Sequence, residues 1–354
     1  MVSGNEEPRP EGYTKMFSAK EILELGAWEA EKVFPGNESA VRKAYRDLAK
    51  QWHPDLNGDP LASKVLAHLT FLRDALVKKR PSASVANERI YDGVDGVKIK
   101  FKYLRKRSGE AGEVLIGRRS IAYEMPVDFA DLAENERAVI SGFRFADDGM
   151  KAHMQHFLPK IEKSVRTADK VVTIMARPDD CVLLPDLIDF YGGRIPPEHV
   201  AWIVSRLENI VCYLEWLQVS HGAISPSNIL VCPEKHTVVL VGGWGFATRF
   251  GSLPLAVPER TLSKVPALAV ADVAASVATD LHLVRATAQD ALGPSKGGLM
   301  MDKTIPEPVA RWLLLPPRAG AVADYESWGR SLTEAWGARR FVKMEADPRK
   351  IYAN

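Results

Sequence analysis

The stretch HGAISPSNILV, residues 221–231, decides the fold of the larger part of the chain. Before it stands a long apolar run, Pro197 to Val219, which predicts a buried helix with proline near its start. After it come two short apolar segments, Ile229 to Cys232 and Val238 to Val241, which predict a hairpin. The stretch is therefore a loop between a long helix and a hairpin, with a histidine at its start and an asparagine near its end.

This loop resembles the catalytic loop of protein kinases, H-R-D-x-x-x-x-N, in its spacing and in the apolar strand that follows. His221 matches the loop histidine, and Asn228 matches the asparagine that binds metal in the family. Ala223 stands in the place of the catalytic aspartate, which accepts and orients the substrate hydroxyl. A methyl group cannot accept a proton, so the resemblance implies a kinase-like fold without its catalytic base.

The segment VVLVGGWGFA, residues 238–247, resembles the strand and D-F-G motif of the same family. Trp244 stands at the phenylalanine position and Gly245 at the glycine position. The magnesium-binding aspartate is replaced by Gly243, so the resemblance implies that the site has lost its main metal carboxylate.

Two positions nearer the C-terminus extend the resemblance. Glu259, in the sequence VPE, is similar to the glutamate of the A-P-E motif. Asp272, ahead of an apolar helix, matches the aspartate that braces the catalytic loop from beneath. Both imply architectural roles.

The N-terminal lobe matches the family less well. Glu136 is the best match for the helix-C glutamate, but no lysine occurs between positions 107 and 150, where its phosphate-anchoring partner belongs. Arg118 or Arg119 is left as a substitute. The turn SGEAGE, residues 108–113, lacks the spacing of a glycine-rich loop.

These losses together predict a pseudokinase with no catalytic residues, no metal and no cofactor, because a missing catalytic carboxylate alone lowers a rate by several powers of ten. An atypical active kinase is the alternative, in which Asp179, Asp180 or Asp186 reaches the cleft. A nucleotide entering the apolar slot by its adenine ring would find hydrogen bonds at the backbone of Ala176 and Arg177.

A second motif, His53-Pro54-Asp55, lies at the tip between two predicted helices. Each helix carries one apolar stripe at helical spacing, and the two stripes are expected to pack together. The stripes are Val41, Tyr45, Leu48 and Trp52 on the first helix, and Leu61, Val65, Leu69, Leu72 and Leu76 on the second.

This arrangement resembles the J-domain family, in which the H-P-D loop and a basic helix engage a DnaK-type chaperone and trigger its ATP hydrolysis. Arg42, Arg46 and Lys50 recur at i, i+4 and i+8, and Lys43 is adjacent, so they share one face. A basic face steers the protein toward an acidic partner. The alternative is that this face is only a solvated surface.

The predicted fold class is therefore multidomain, an all-α J-domain hairpin followed by an α+β two-lobed kinase-like fold. We place the boundaries in the basic and then small, polar segments between these patterns. They are a disordered N-terminus over 1–15, the J-domain over 16–80, a linker over 81–90, the N-lobe over 91–175 and the C-lobe over 176–354.

Composition limits the location and the partners. With 47 basic and 45 acidic residues the net charge is +2, too balanced to indicate a nucleic-acid-binding protein. The sequence shows neither a signal peptide nor an apolar run long enough for a membrane span. Three widely spaced cysteines, Cys181, Cys212 and Cys232, favour free thiols and a cytoplasmic location.

A J-domain joined to a kinase-like domain with an HGA loop is similar to bacterial and phage proteins described as molecular chaperones. The resemblance implies an adaptor that recruits a DnaK-type chaperone and holds an unknown client through its kinase-like domain. A viral decoy that diverts the host chaperone is the alternative from another class.

Overall fold

The computed structural model describes residues 17–34, 38–54, 57–79, 88–265, 274–294, 298–338 and 342–352. The chain divides between Val85 and Ala86 into two compact units. This division falls inside the predicted 81–90 linker, and each unit has its own apolar core. The predicted disordered segment, 1–15, lies outside the described residues.

The first unit is helical. Helix α1, Ala19–Glu24, begins with a capping box in which the Ser18 hydroxyl accepts the Glu21 N–H and the Glu21 carboxylate accepts the Ser18 N–H. A 3₁₀ helix, Ala27–Lys32, leads to α2, Glu38–Gln51, and a turn then leads to α3, Ala62–Lys79. The predicted helical hairpin is confirmed.

The facing stripes of α2 and α3 form the core of this unit together with Ile22 of α1 and Phe34, and burying them stabilises it. The prediction is wrong at Leu61, which is exposed because α3 begins one residue later and buries Ala62 instead. The side chain of Leu76 is outside the described residues. The stripe residues that are buried are Val41, Tyr45, Trp52, Val65, Leu69 and Leu72.

The second unit opens with an N-lobe built on an antiparallel sheet. Helices α4, Ala130–Ser141, and α5, Asp148–Met154, connect its third strand to its fourth, and the strand order is β3-β4-β5-β7-β6. The turn SGEAGE closes the first hairpin. The strands are β3, Arg105–Ser108; β4, Glu113–Ile116; β5, Ser120–Pro126; β6, Ile161–Arg166; and β7, Lys170–Ala176.

A separate hairpin covers the outer face of this sheet. Its strands are β1, Glu88–Asp92, and β2, Lys98–Lys102, and β1 begins inside the predicted linker. Tyr91 is the one buried residue of β1, so this strand has no alternating pattern for sequence analysis to detect. The buried Glu124 carboxylate on β5 holds the hairpin by accepting the Tyr91 hydroxyl at 2.6 Å and Arg89 Nη1 at 2.9 Å.

The C-lobe is mainly helical and is organised around α7, Pro197–Leu217, which packs against α9, Val277–Leu292, and α11, Ala321–Trp336. None of the helices formed by the described residues is long and apolar enough to cross a membrane. The remaining helices are α6, Leu184–Phe190; α8, Glu259–Lys264; α10, Glu307–Leu314; and α12, Pro348–Ile351.

Two small sheets complete the C-lobe and frame the candidate catalytic loop. One has the order β11-β10-β8 and the other pairs β12 with β9. The predicted hairpin after the loop is thus present, as β10 and β11. The strands are β8, Val182–Leu183; β9, Val219–Ser220; β10, Ile229–Cys232; β11, Thr237–Leu240; and β12, Thr248–Arg249.

Two of the three cysteines form a disulfide bond, so the prediction of free thiols is wrong for Cys181 and Cys232. Strands β8 and β10 are antiparallel, with Val182 opposite Val231. The adjacent pair in this register is Cys181 and Cys232, which therefore lie directly opposite one another. Their Cα atoms are 4.1 Å apart. Cys212 is a free thiol.

One carboxyl group is buried in the C-lobe without a hydrogen bond from the described residues. Glu208, on α7, is fully buried, and neither of its oxygens has a partner. Burial raises its pKa well above the usual value; the negative charge of Asp324 adds to this, and Arg285 opposes it. Arg285 itself is paired with Asp324 at 2.7 Å. Glu208 is therefore protonated in the fold at a pH where an exposed glutamate is ionised.

We expect Glu208→Met to increase the free energy of unfolding by about 1–3 kcal/mol at pH 8, since it removes an unpartnered buried polar group. Because the pKa of Glu208 is raised in the folded state, its contribution to the free energy of unfolding is fully present below the unfolded pKa, near 4.5. That contribution is lost as the pH rises toward the folded pKa. The gain should therefore shrink at pH 4.5. Thermal and urea unfolding of the full chain at both pH values measures it.

The matched control is Glu326→Met on the exposed face of α11, which should change stability by less than about 0.5 kcal/mol. A loss of stability in Glu208→Met at pH 8, or a larger gain at low pH, would contradict the assignment.

Candidate functional site

The H-P-D segment directly follows helix α2. His53 is half-buried and Pro54 is exposed, while Asp55 lies outside the described residues. The turn folds back on the helix, because the Asn57 N–H donates to the His53 carbonyl and Asn57 Nδ2 donates to the Gln51 carbonyl, both at 2.9 Å. The Asn57 side chain thus anchors the loop to the last residue of α2, and its backbone N–H closes the turn.

The predicted basic face lies on α2. Arg46 and Lys50 are exposed one turn apart, as the spacing predicts. Arg42 and Lys43 belong to the same helix, but their side chains are outside the described residues.

In the second unit, His221 is a buried structural group. Its Nε2 donates to the Gly242 carbonyl at 3.1 Å, and its Nδ1 accepts the Ala223 N–H at 3.2 Å. Burial lowers the pKa of this imidazole to about 3, so it is neutral at physiological pH. A neutral histidine with both nitrogens engaged holds the loop and is unavailable for proton transfer.

The brace beneath the loop is Asp280. Its two carboxylate oxygens accept the N–H groups of His221 and Gly222, each at 2.8 Å. Burial raises the Asp280 pKa to about 6, and these backbone donors oppose the shift. Asp272, the predicted brace, lies outside the described residues, and the role belongs to the aspartate eight positions later, inside α9.

Ala223, at the position of the catalytic aspartate, is buried in an apolar cluster. A carboxylate here would lose its hydration without gaining a cation, a cost of several kcal/mol. The Ala223 methyl group therefore packs in apolar surroundings. The cluster is completed by Met125, Leu132, Ala133, Val171 and Phe246.

Asn228 and Gly243, at the two metal-binding positions, are in direct contact. Asn228 Nδ2 donates to the Ala223 carbonyl at 2.8 Å and to Ser225 Oγ at 3.2 Å. Gly243 has a φ of +82°, and a Cβ atom there would lie only 2.5 Å from Asn228 Nδ2. A carboxylate side chain at Gly243 would therefore require the hydrogen-bonded Asn228 amide to move, on a backbone that favours glycine.

Trp244 and Gly245 connect this loop to the N-lobe. The buried Trp244 ring meets His221 edge-on, with centroids 4.6 Å apart, and its Nε1 donates to the Leu240 carbonyl at 2.9 Å. Gly245 lies against α4, where Asn135 Nδ2 donates to the carbonyls of Gly245 and Ala247, both at 2.8 Å. Sequence analysis missed Asn135, although it is adjacent to the predicted Glu136.

Glu136 is buried on α4, and burial raises its pKa to about 7. Neither predicted substitute for the lysine reaches it, because Arg118 and Arg119 are exposed and Arg119 pairs with Asp179. On β5, Tyr123 lies near Glu136, and burial together with the negative charge of Glu136 raises the Tyr123 pKa well above its usual value.

Tyr123 connects strand β5 of the N-lobe to the loop at residues 221–231. Its hydroxyl donates to the Ser227 carbonyl of the catalytic-type loop at 3.1 Å, and its ring lies so close to Gly242 that a Cβ there would overlap it. From the turn SGEAGE, Glu110 contacts the Ser225 hydroxyl, and burial raises its pKa. Two side chains of the N-lobe therefore fill the space above the loop.

The hinge, formed by Ala176 and Arg177 at the end of β7, has fewer free hydrogen-bond donors for a nucleotide than the sequence suggested. The Ala176 N–H donates to the Lys160 carbonyl and the Arg177 N–H to the Arg119 carbonyl, both at 2.8 Å. These two donors, expected to be available for an adenine ring, are thus already bonded within the N-lobe.

The acidic residues proposed for an atypical kinase lie in other contacts. Asp179 pairs with Arg119, Asp180 pairs with Lys235 at 2.9 Å, and Asp186 is buried among arginines and a tyrosine.

Helix α8 holds the loop from the opposite side. Its first residue, Glu259, is exposed, whereas Arg260 Nη1 donates to the Ile224 carbonyl at 3.1 Å and the Thr261 hydroxyl donates to the Gly222 carbonyl at 2.8 Å. The residues after Glu259 therefore make the contacts with the loop that this helix provides.

Comparison with known proteins finds relatives of the N-terminal region. It is 38% identical over 60 residues to a DnaJ-like protein of Mycoplasma genitalium, covering 17% of this chain and 10% of that protein. It is 36% identical over 67 residues to the chaperone protein DnaJ of Mycoplasma mycoides, covering 18% of each chain. The match spans less than a fifth of either relative, and it confirms the J-domain resemblance of this region.

No family model matches the chain. Among solved structures, the chain is similar to the BubR1 kinase domain, with 13% sequence identity and a TM-score of 0.46, covering 77% of this chain and 92% of that one.

We expect Gly243→Asp, which restores the missing metal carboxylate in name, to lower the free energy of unfolding by about 3 kcal/mol or more. It combines a left-handed backbone with a steric overlap and a buried charge. Gly251→Asp is the matched control, because Gly251 has a similar φ of +80° and open space around its Cβ position. It should cost about 1 kcal/mol. Equal losses in the two variants, measured by thermal unfolding, would contradict the steric argument.

Proposed function

We propose that this protein is a J-domain co-chaperone whose kinase-like unit is an adaptor without phosphoryl-transfer activity. The observation that carries the proposal is the pairing of a DnaJ-related helical hairpin with a cleft whose catalytic position is buried apolar surface. The first part recruits a chaperone, and the second holds a client.

The partner of the first unit is a DnaK-type chaperone. In support, the H-P-D segment lies at the end of α2, and the Asn57 side chain and N–H bond to the Gln51 and His53 carbonyls, so the loop is held without melting the helix. The exposed Arg46 and Lys50 provide positive charge on the same helix for an acidic partner surface. The protein is expected to share the cytoplasm with this chaperone.

The second unit is proposed to be catalytically inactive. Ala223 cannot accept a proton, Gly243 cannot bind a metal ion, and Tyr123 donates its hydroxyl to the loop from the N-lobe. The contacts that remain around His221, Trp244 and Asp280 preserve the architecture of the loop. Such a unit retains a large folded surface for binding another protein.

We expect His53→Gln to abolish stimulation of a DnaK-type ATPase while circular dichroism and thermal unfolding stay close to those of the parent. His53 is outside the apolar stripes that hold α2 and α3 together, so the core should persist. Lys64→Gln, at an exposed position of α3, is the control and should stimulate normally. Normal stimulation by His53→Gln would mean that this loop has no such role.

We also expect the double variant Arg46→Glu and Lys50→Glu to weaken chaperone binding by about tenfold or more at low salt, chiefly through slower association. Rising salt should weaken the parent in the same direction. Surface plasmon resonance at two ionic strengths measures both effects. The control is Lys64→Glu on α3; if it weakens binding as much as the double variant, the effect comes from net charge and not from this face.

The full chain is expected to incorporate no phosphate from radiolabelled ATP, whether into itself or into a model protein substrate, and magnesium should not increase any thermal shift caused by ATP. The comparison variant is Asn228→Ala, which should give the same background as the parent. Label on the parent that disappears in Asn228→Ala would overturn the pseudokinase proposal.

A further inference from the structure

A single buried carboxylate joins three distant parts of the second unit. Asp186, in the first turn of α6, is fully buried. Its Oδ1 accepts Arg107 Nε at 2.7 Å and Arg105 Nη1 at 3.3 Å, and its Oδ2 accepts the Tyr352 hydroxyl at 2.8 Å. The two arginines are on β3, the edge strand of the N-lobe sheet, while Tyr352 follows α12 near the C-terminus. N-lobe, C-lobe and tail thus meet at Asp186.

Tyr352 contributes both its hydroxyl and its ring to this junction. It is buried, and its hydroxyl also accepts the Leu183 N–H of β8 at 3.0 Å. The preceding residue adds a backbone contact, since Arg105 Nη2 donates to the Ile351 carbonyl at 3.0 Å. Burial, with the nearby negative charge of Asp186, raises the Tyr352 pKa above its ordinary value, so the hydroxyl keeps its proton and can donate it to the carboxylate.

The Tyr352 ring also covers the hinge. The Arg177 guanidinium lies 4.6 Å from the ring centroid, a cation–π geometry. Arg177 in turn donates to the Gly117 carbonyl at 3.2 Å, in the turn between β4 and β5, and to the Cys181 carbonyl at 2.6 Å, just before β8. The aromatic ring therefore shields from water the hydrogen bonds by which Arg177 links the two lobes.

The exclusion of water determines how much these ion pairs and hydrogen bonds contribute to stability. Ion pairs between exposed arginines and carboxylates contribute little, because water competes for both partners. Excluding water strengthens the same charge-assisted hydrogen bonds and makes a broken one costly. Arg105 and Arg107 are each less than a third exposed, and Asp186 is not exposed at all. The tail thus converts a surface ion-pair cluster into a buried one.

We propose that the segment Pro348–Tyr352 is a strap that locks the two lobes of the kinase-like unit together at the hinge edge of the cleft. With the strap seated, Asp186 holds β3 against α6, and the unit is kept in one closed arrangement by its own chain. With the strap released, water reaches the junction and the lobes can separate. The proposal does not depend on what the J-domain binds.

Hydrogen exchange of the full chain, followed by mass spectrometry, tests the strap. In Tyr352→Ala, peptides covering residues 105–108 and 182–186 should exchange about tenfold faster or more, because both contact the junction and lose its shielding. Tyr352→Phe keeps the ring and should accelerate the same peptides to a smaller extent. Lys350→Ala, an exposed position in the same segment, should leave them unchanged.

The reciprocal variant is Arg105→Gln, which should accelerate exchange in residues 344–352, since coupling between two sites acts equally in both directions. If Tyr352→Ala speeds exchange across the whole unit, Tyr352→Phe decides: local acceleration at 105–108 and 182–186 supports the strap, and none overturns it. If Tyr352→Ala accelerates only the tail peptides, the tail is a passive cover and the proposal is wrong.

Discussion

The Asp280 carboxylate, through its two hydrogen bonds to the N–H groups of His221 and Gly222, is the contact on which the kinase-like site depends. It fixes the start of the loop, and the loop then orients His221, whose ring engages the Gly242 carbonyl and supports Trp244. All of these contacts involve backbone groups or buried rings. The contacts that shape the loop therefore require neither a catalytic base nor a metal-binding carboxylate.

The features that support the proposed inactivity are physically connected. At Ala223 a carboxylate would be buried in the apolar cluster, and at Gly243 any side chain would overlap Asn228. Tyr123 packs against Gly242 and donates its hydroxyl to the Ser227 carbonyl of the loop. The proposed inactivity is therefore supported by the packing around both positions and not by one substitution alone.

Sequence analysis succeeded where local patterns are strong. Helix α7, the hairpin β10–β11 and the two helical stripes of the first unit follow from hydrophobic periodicity, which survives in any tertiary context. It failed for β1, β3 and β6, whose exposed charged residues interrupt the alternation. The bracing aspartate, Asp280, was not singled out because the sequence offers another aspartate, Asp272, eight positions earlier and ahead of the same apolar segment. The Cys181–Cys232 bond and the position of Tyr123 depend on strand register, which one sequence does not reveal.

The same disulfide closes a covalent ring across the centre of the second unit. The ring joins positions 51 residues apart and encloses α6, α7 and the whole HGA loop. In the chain-entropy description, such a closure lowers the conformational entropy of the unfolded ensemble, which stabilises the folded state by about 4 kcal/mol. An ordinary kinase domain can gain comparable stabilisation from ligand binding. Here the bond supplies it internally, which makes the folding equilibrium of this unit a function of the thiol–disulfide balance around it.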